Sequence, residues 1–185
     1  MSGGSPRQAR RRKGRDIDVT DVQLIEAIAK GSRSAFRTLY DQYGDRILRF
    51  AQTIVREPHL AEEVLQETMI AVWRSAGRFG GRSKLSTWLL GIARNQAHSL
   101  LRREKRGQRT PAQTMETENP APSIEQQVVL EKAFGALTPA QREVLHLTFY
   151  DHLTVNEAAS VLGIPPGTVK SRMYHARRVL AKELQ

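Results

Sequence analysis

The segment between residues 153 and 180, LTVNEAASVLGIPPGTVKSRMYHARRVL, constrains the fold of this chain more than any other. Thr154 and Glu157 have the spacing of a capping box, in which each side chain satisfies a backbone N–H at the start of a helix. Gly163 can adopt a positive φ and end that helix, and the prolines at 165 and 166 cannot extend it. The segment therefore predicts two helices joined by a tight turn.

The second of these helices, expected to begin near Gly167, has two chemically different faces. Its apolar residues recur with the spacing of one buried helix face: Val169, Met173, Ala176 and Leu180. The opposite face carries cations and hydrogen-bond donors: Lys170, Ser171, Arg172, Tyr174, His175, Arg177 and Arg178. A helix with such a face can enter the major groove of DNA. The same pattern also fits an amphipathic hairpin whose basic face only meets solvent.

The spacing of small and apolar residues favours the DNA-binding interpretation. The offsets of a helix-turn-helix are filled by Ala159, Gly163, Ile164 and Val169. Arg172 stands at one position where an apolar residue is expected, and we expect Met173 to pack in its place.

The overall charge of the chain points to a polyanionic partner. The 185 residues carry a formal net charge of +10, and 39% of them are hydrophobic, which is enough for a packed core. The chain has no cysteine, which excludes disulfides and thiolate metal sites and fits a reducing cytosol. No apolar run approaches the ~20 residues of a membrane span. The basic N-terminus has no apolar stretch behind it, so no secretory signal is expected.

Helical periodicity and its breaks predict an all-α fold with two helical domains joined by a flexible linker. Residues 1–19 form a basic tail that is predicted to be disordered. Residues 20–105 form the first helical domain, and residues 106–122 form a linker rich in proline and polar residues. Residues 123–185 form the second domain, which contains the helix-turn-helix.

Local signals predict where individual helices begin and end. Capping patterns begin helices at Thr20, Ser123 and Thr138. Gly31 is expected to end the first helix, and Pro58 suits the first turn of a later one.

The first domain carries an acidic patch, residues 62–67 (EEVLQE), in an otherwise basic chain. Such a patch is often only a solvated helix face. Here the carboxylates surround the amide of Gln66, which favours docking to a basic protein surface.

A second surface of the first domain runs from Arg78 to Arg103 and interleaves cations, hydroxyls, amides and aromatic rings. Cations can hold phosphates, and aromatic rings can stack on unpaired bases. This composition predicts binding of single-stranded DNA. For Trp88 a role in the core is the alternative, and Trp73 is assigned to the core.

Four motifs, in this order, resemble those of an extracytoplasmic-function sigma factor of the sigma-70 superfamily. They are Glu62-Glu-Val-Leu-Gln-Glu67 with Trp73, Phe79 with Ser86-Thr-Trp-Leu89, Gly91-Ile-Ala-Arg-Asn95, and Leu162-Gly-Ile-Pro-Pro-Gly-Thr-Val-Lys-Ser-Arg172. The similarity covers about residues 20–184. The chain departs from the usual pattern at His175, where relatives often carry Arg, and at residues 156–160, where the usual version is acidic and contains isoleucine.

The resemblance implies a subunit that directs bacterial RNA polymerase to specific promoters and starts transcription, by reading a −35 duplex and by melting and capturing a −10 strand. The first domain would be region 2-like and bind core polymerase through Glu62, Glu63, Val64, Leu65, Gln66 and Glu67. It would hold the −10 element through Arg78, Phe79, Arg82, Lys84, Ser86, Thr87, Trp88, Arg94, Asn95 and Arg102. The second domain would be region 4-like and contact the −35 element through Thr168, Lys170, Ser171, Arg172, Tyr174, His175 and Arg178.

The resemblance also implies the partners of the chain. They are the β′ clamp helices and β flap of core polymerase, promoter DNA, and an anti-sigma factor. It implies a bacterial cytoplasmic location without membrane insertion, where the anti-sigma factor could hold the chain near the membrane.

The residues themselves suggest no enzyme, cofactor or metal site. The glycine-rich segment Gly80–Lys84 lacks the spacing of a phosphate-binding loop. His146 and His152 are not spaced i, i+4, and no carboxylate completes a metal site with them. Two other classes of protein stay open: a free-standing helix-turn-helix regulator, which would leave the acidic patch unexplained, and a nucleic-acid-modifying enzyme, for which no catalytic constellation is visible. Copurification with core polymerase separates the leading interpretation from both.

Overall fold

The computed structural model describes residues 19–107 and 132–184, which are helical with no strand in either range. The N-terminal block contains α1 (Val19–Ala29), α2 (Arg33–Val55), α3 (Pro58–Ser75), a 3-10 turn (Ala76–Arg78) and α4 (Leu85–Lys105). The C-terminal block contains a helical stretch at 132–135, α5 (Pro139–Leu145), a π-helical turn (His146–Tyr150), α6 (Val155–Leu162) and α7 (Pro166–Glu183). The prediction of an all-α fold with a C-terminal helix-turn-helix is confirmed.

Helix ends in the N-terminal block follow local chemistry. Ser32 caps α2 by accepting a hydrogen bond from the Ala35 N–H, and Gly31 turns the chain before it with φ +87°. Pro58 occupies the first turn of α3, as predicted. The capping prediction at Thr20 is wrong by at least one residue, because α1 already includes Val19 and Thr20 therefore lies inside the helix.

The turn between α6 and α7 forms as the sequence predicts. Thr154 and Glu157 make both hydrogen bonds of a capping box, and Gly163 ends α6 with φ +63° while its N–H donates to the Ala159 carbonyl. Helix α7 begins at Pro166, one residue earlier than expected, because proline is compatible with a first helical turn. Thr138 begins α5 with a second capping box.

The segment after α5 departs from a regular helix. Residues His146–Tyr150 form a π-helical turn, and His152 follows it with φ +54°. The wider turn leaves Phe149 and Tyr150 about half exposed, so Phe149 does not continue the buried stripe of α5.

The two blocks share one apolar core. Buried residues of α1 to α4 form a single cluster with buried residues of the C-terminal block, namely Val144, Leu147, Leu153, Ala158, Ala159, Val161, Leu162 and Val169. A smaller cluster joins Leu137, Leu145 and Ala176 inside the C-terminal block. Helices α4 and α6 therefore pack against each other across the boundary between the blocks.

Trp73 does not belong to the core, contrary to the sequence prediction. Its side chain is 39% exposed and meets Phe36 edge-on, with ring centroids 5.2 Å apart. Val72 lies on the buried side of α3, and the rotation between successive helical residues places Trp73 at the edge of that side.

Several sequence predictions concern residues beyond the two described ranges. They are the basic tail before Val19, the linker after Gly107, and the helix start at Ser123.

Gly163 and Gly167 allow a matched test of the turn. Gly163→Ala should lower the free energy of unfolding by about 1–2 kcal/mol, because alanine is strained at a positive φ. Gly167→Ala should raise it by about 0.4–1 kcal/mol, because alanine restricts the unfolded chain and meets nothing within 4 Å in α7. Urea unfolding followed by circular dichroism measures both. Equal effects of the two substitutions would contradict the assigned helix boundary.

Candidate nucleic-acid interface

Helix α7 presents a polar face outward and packs its apolar face inward. Val169 and Ala176 are fully buried, and Met173 packs against the shared core, which confirms the predicted packing role of Met173. We call the polar residues the recognition face. Its exposed members are Lys170, Ser171, Tyr174, His175 and Arg178, and its half-buried members are Thr168 and Arg172.

Ring contacts order the middle of the recognition face. Tyr174 is 59% exposed and meets the His175 ring nearly edge-on, with centroids 5.4 Å apart. The Arg178 guanidinium lies 5.9 Å from the centre of the Tyr174 ring. These contacts limit the rotamers of three exposed side chains on one face of the helix.

The residues assigned to single-stranded DNA lie around the turn between α3 and α4 and along α4, and we call them the strand surface. Phe79 and Trp88 pack together with ring centroids 5.1 Å apart, and both are half-buried against the edge of the core. The exposed members are Arg78, Arg82, Asn95 and Arg102, and the half-buried members are Lys84, Ser86 and Arg94. Thr87 is only 4% exposed because it points inward from the first turn of α4, so its assignment to DNA contact does not fit this structure.

The acidic patch on α3 divides into two sides. Glu62 and Gln66 are exposed, and Glu63 and Glu67 are half-buried. Val64 and Leu65 are 1% and 7% exposed and lie in the core, so a direct contact of these two with another protein does not fit this structure. Because an α-helix has about 3.6 residues per turn, neighbouring residues of the acidic patch lie on different sides of α3.

An ion pair crosses from the strand surface to the C-terminal block. Arg94 Nε donates to Glu143 Oε2 at 2.6 Å, and His98 Nε2 lies 3.2 Å from Glu143 Oε1. Burial raises the pKa of Glu143, but the contacts with His98 and Arg94 outweigh it, so that this pKa lies below the ordinary value. Glu143 is therefore a charged, buried carboxylate on α5 that is directed at α4.

A second ion pair joins the start of α4 to the start of α6. Lys84 Nζ lies 3.0 Å from Glu157 Oε1, while Glu157 Oε2 accepts hydrogen bonds from the N–H and hydroxyl of Thr154. Burial raises the pKa of Glu157, and the hydrogen bonds from Thr154 and Lys84 reverse the shift, so that this pKa is lowered. One carboxylate thus caps α6 and holds a cation of the strand surface.

A third contact between the blocks involves α2. Arg46 donates from Nε to Asp151 Oδ1 at 2.6 Å and from Nη2 to the Asp151 carbonyl at 3.0 Å. Thr53 Oγ1 lies 3.0 Å from His146 Nδ1. Burial lowers the pKa of His146, and Asp151 opposes this shift. Sequence reasoning missed Arg46, Glu143 and Asp151, because no motif marks which partners meet across two blocks.

Two kinds of site are absent from the described ranges. No cluster of three or more His, Cys, Asp or Glu residues there could hold a metal ion. No helix in the same ranges is both long enough and apolar enough to cross a membrane.

Family models place both blocks in one family. Residues 39–107 match the model of sigma-70 region 2, and residues 127–180 match the model of sigma-70 region 4. The first match covers most of the N-terminal block with the strand surface, and the second contains the recognition face.

Individual relatives match across nearly their full lengths. The RNA polymerase sigma-H factor of Pseudomonas aeruginosa is 31% identical, over 89% of this chain and 94% of the relative. The ECF RNA polymerase sigma factor SigW of Bacillus subtilis is 28% identical, over 87% of this chain and 95% of the relative. The sigma factor RpoE from Bartonella quintana, solved with the anti-sigma factor NepR, gives a TM-score of 0.68 at 28% identity and covers 80% of this chain and 96% of that chain. The chain therefore belongs to the extracytoplasmic-function sigma factors of the sigma-70 family, the subunits that direct RNA polymerase to promoter DNA in transcription initiation.

Proposed function

We propose that the two blocks divide promoter recognition, with α7 reading a −35 duplex and the strand surface capturing an unpaired −10 strand. The observation that carries this proposal is the pair of opposite faces of α7, one buried in the core and one exposed and cationic. A run-off transcription assay with core polymerase on a randomised promoter library tests it. Enrichment of two separated elements is the expected result, and enrichment of none or only one would contradict it.

Melting in this proposal is driven by binding energy and not by catalysis. Phe79 and Trp88 offer aromatic surface beside the cations of the strand surface, so that bases can be held as they unstack. The chain acts as a binding protein rather than an enzyme. It works in the cytoplasm, where its promoter DNA and core polymerase are found.

An anti-sigma factor is the third proposed partner. A cleft of about 1170 Å³ lies between α2, α5 and α7, and Arg49, Arg56, Arg142 and Arg177 line it beside exposed aromatic rings such as Phe149. This lining suits an acidic amphipathic segment. The solved complex of RpoE with NepR supports the idea that this chain also has such a partner. Comigration of the full chain with a candidate anti-sigma factor in gel filtration tests it.

The acidic patch provides the first test of the polymerase contact. Glu62→Lys combined with Gln66→Ala should weaken binding to core polymerase at least about tenfold, because it replaces a complementary charge with a repulsive one. Both residues are exposed, so the fold should remain intact. The control is Glu26→Lys, an exposed charge reversal on α1. Copurification at normal levels with an unchanged circular dichroism spectrum would remove the patch from the proposal.

The strand surface is tested by its effect on melting. Phe79→Ala should slow open-complex formation more than initial duplex binding, because the captured base loses a stacking partner worth about 1–3 kcal/mol. A template with a pre-melted bubble should restore much of the rate. Phe36→Ala, which removes a partly buried ring from another aromatic pair, is the control. Failure of the bubble to rescue Phe79→Ala would argue against strand capture at this site.

Residues of the recognition face should separate into two groups in binding titrations. Ser171→Ala and His175→Ala should each reduce discrimination between the selected −35 duplex and a scrambled one, by about 1–3 kcal/mol if they contact base edges. Arg172→Ala and Arg178→Ala should weaken both duplexes alike and lower the salt slope by about one, because phosphate contacts carry no sequence information. If His175→Ala weakens both duplexes equally and shifts the slope, His175 contacts phosphate.

A further inference from the structure

The cleft between α2, α5 and α7 concentrates positive charge without neutralising it. Its described lining residues include no Asp or Glu but four arginines: Arg49, Arg56, Arg142 and Arg177. No carboxylate in the described ranges forms an ion pair with any of the four, whereas Arg46 and Arg94 have such partners. Guanidinium groups that are gathered in a concave site without carboxylates attract an anion.

Two of these arginines lie close enough to repel each other. Burial lowers the pKa of Arg142, and the positive charge of Arg56 lowers it further, although Glu143 opposes the shift. Arg142 Nη1 donates to the Leu137 carbonyl at 2.8 Å, but its buried Nε has no hydrogen-bond partner within the described ranges. Such a donor is unfavourable. An anion between the two arginines would relieve the repulsion and can accept a hydrogen bond from this donor.

The backbone of Arg56 is in a conformation that does not favour arginine. This residue ends α2 with φ +66°, in the left-handed region, and its N–H donates to the Gln52 carbonyl. Glycine is the usual residue at such a helix end, because a side chain is strained there. The turn itself therefore does not require arginine, whereas the wall of the cleft gains a guanidinium group from it.

Aromatic rings of two kinds line the same cleft. The Arg49 guanidinium lies 5.3 Å from the centre of the Tyr150 ring, and the Arg177 guanidinium lies 4.9 Å from the centre of the Phe149 ring. A guanidinium over a ring keeps N–H donors at its edge, where a phosphate can accept from them. Phe134 is 42% exposed and has no ring or cation partner within the described ranges. Its ring is therefore available to stack on a base.

The shape of the cleft favours a small ligand over a nucleic acid. Its volume of about 1170 Å³ is close to the range of about 300–1,000 Å³ that is usual for small-molecule sites. A DNA duplex is a wide cylinder, and its phosphates would meet the rim of such a cleft rather than its walls. A single nucleotide fits inside and offers both groups that the lining can bind, namely phosphates and a flat base.

We propose that this cleft is a binding site for a nucleoside di- or triphosphate, with the phosphates held by the four arginines and the base stacked on Phe134. The proposal rests on the cleft alone and not on the proposed roles of the strand surface or the recognition face. The acidic anti-sigma segment proposed above would need the same guanidinium groups. A nucleotide and that segment would therefore exclude each other from the cleft.

Isothermal titration calorimetry of the full chain tests the site with three probes: ADP, inorganic pyrophosphate and adenosine. The buffer contains about 0.15 M salt, which screens weak contacts with exposed charges, and no divalent cation. ADP should bind more tightly than pyrophosphate, and pyrophosphate more tightly than adenosine, because only ADP contacts both the arginines and Phe134. Equal affinities of ADP and pyrophosphate would overturn the nucleotide site, and so would the absence of ADP binding at about 1 mM.

Arg56→Gly removes one cation and relieves the left-handed backbone at the same time. It should weaken ADP binding about tenfold, which corresponds to about 1.4 kcal/mol, without lowering the melting temperature that circular dichroism measures. Arg37→Gln removes an exposed cation near the other end of α2 and is the control, which should leave the affinity unchanged. Equal losses of affinity in the two variants would show that ADP responds only to net charge and would overturn the site.

A second pair of variants separates the cleft from the strand surface. Phe134→Ala should reduce the affinity for ADP to that for pyrophosphate, while the affinity for pyrophosphate stays the same, because only the base loses its contact. Phe79→Ala, which alters the strand surface, should change neither affinity. If Phe79→Ala lowers the affinity for ADP and Phe134→Ala does not, ADP binds to the strand surface. That result would overturn the site in the cleft and leave the proposed strand capture intact.

Discussion

The common apolar core is the constraint on which the rest of the structure depends. Buried side chains of α5 to α7 complete the large apolar cluster that α1 to α4 begin. A charge that is buried where the blocks face each other is removed from water and needs a partner. Glu143 and Asp151 are the buried charged residues in the described part of the chain, and each meets an arginine of the other block. The position of the shared core therefore determines which arginine side chains are held in ion pairs with buried carboxylates.

Most of the fold could be predicted because its determinants act over a few residues. The capping box at Thr154, the positive φ of Gly163 and the proline at 58 each satisfy or interrupt backbone hydrogen bonds within one turn. The apolar spacing of α7 likewise specifies its buried face from the sequence alone. The π-helical turn was not predictable in this way, since its register depends on the packing of Leu147 and on the contact between His146 and Thr53.

The candidate site was less predictable than the fold. A motif identifies a group of neighbouring residues but not the side of the helix on which each one lies. The motifs therefore could not show that Val64, Leu65 and Thr87 are buried. Contacts across the blocks were also beyond the sequence: Arg46 and Asp151 are separated by 105 positions, and nothing in the periodicity of α2 distinguishes Arg46 from its neighbours. Family resemblance predicted the functional surfaces, whereas the contacts of Lys84 and Arg94 with carboxylates of the C-terminal block are visible only in the structure.

The titration behaviour of the contact between the blocks indicates what can disrupt it. The pKa of Glu143 lies below the ordinary value of 4.5, so its contribution to stability is complete above that pH and is lost only as the pH falls further. The pKa of His146 lies below 6.5, so this residue is neutral at neutral pH, and acid weakens the contact between the blocks by charging it. Protonation of Glu143 and protonation of His146 therefore both weaken the contact between the blocks, and both occur at acid pH. At neutral pH the charged Glu143 and the neutral His146 therefore both favour the contact between the blocks.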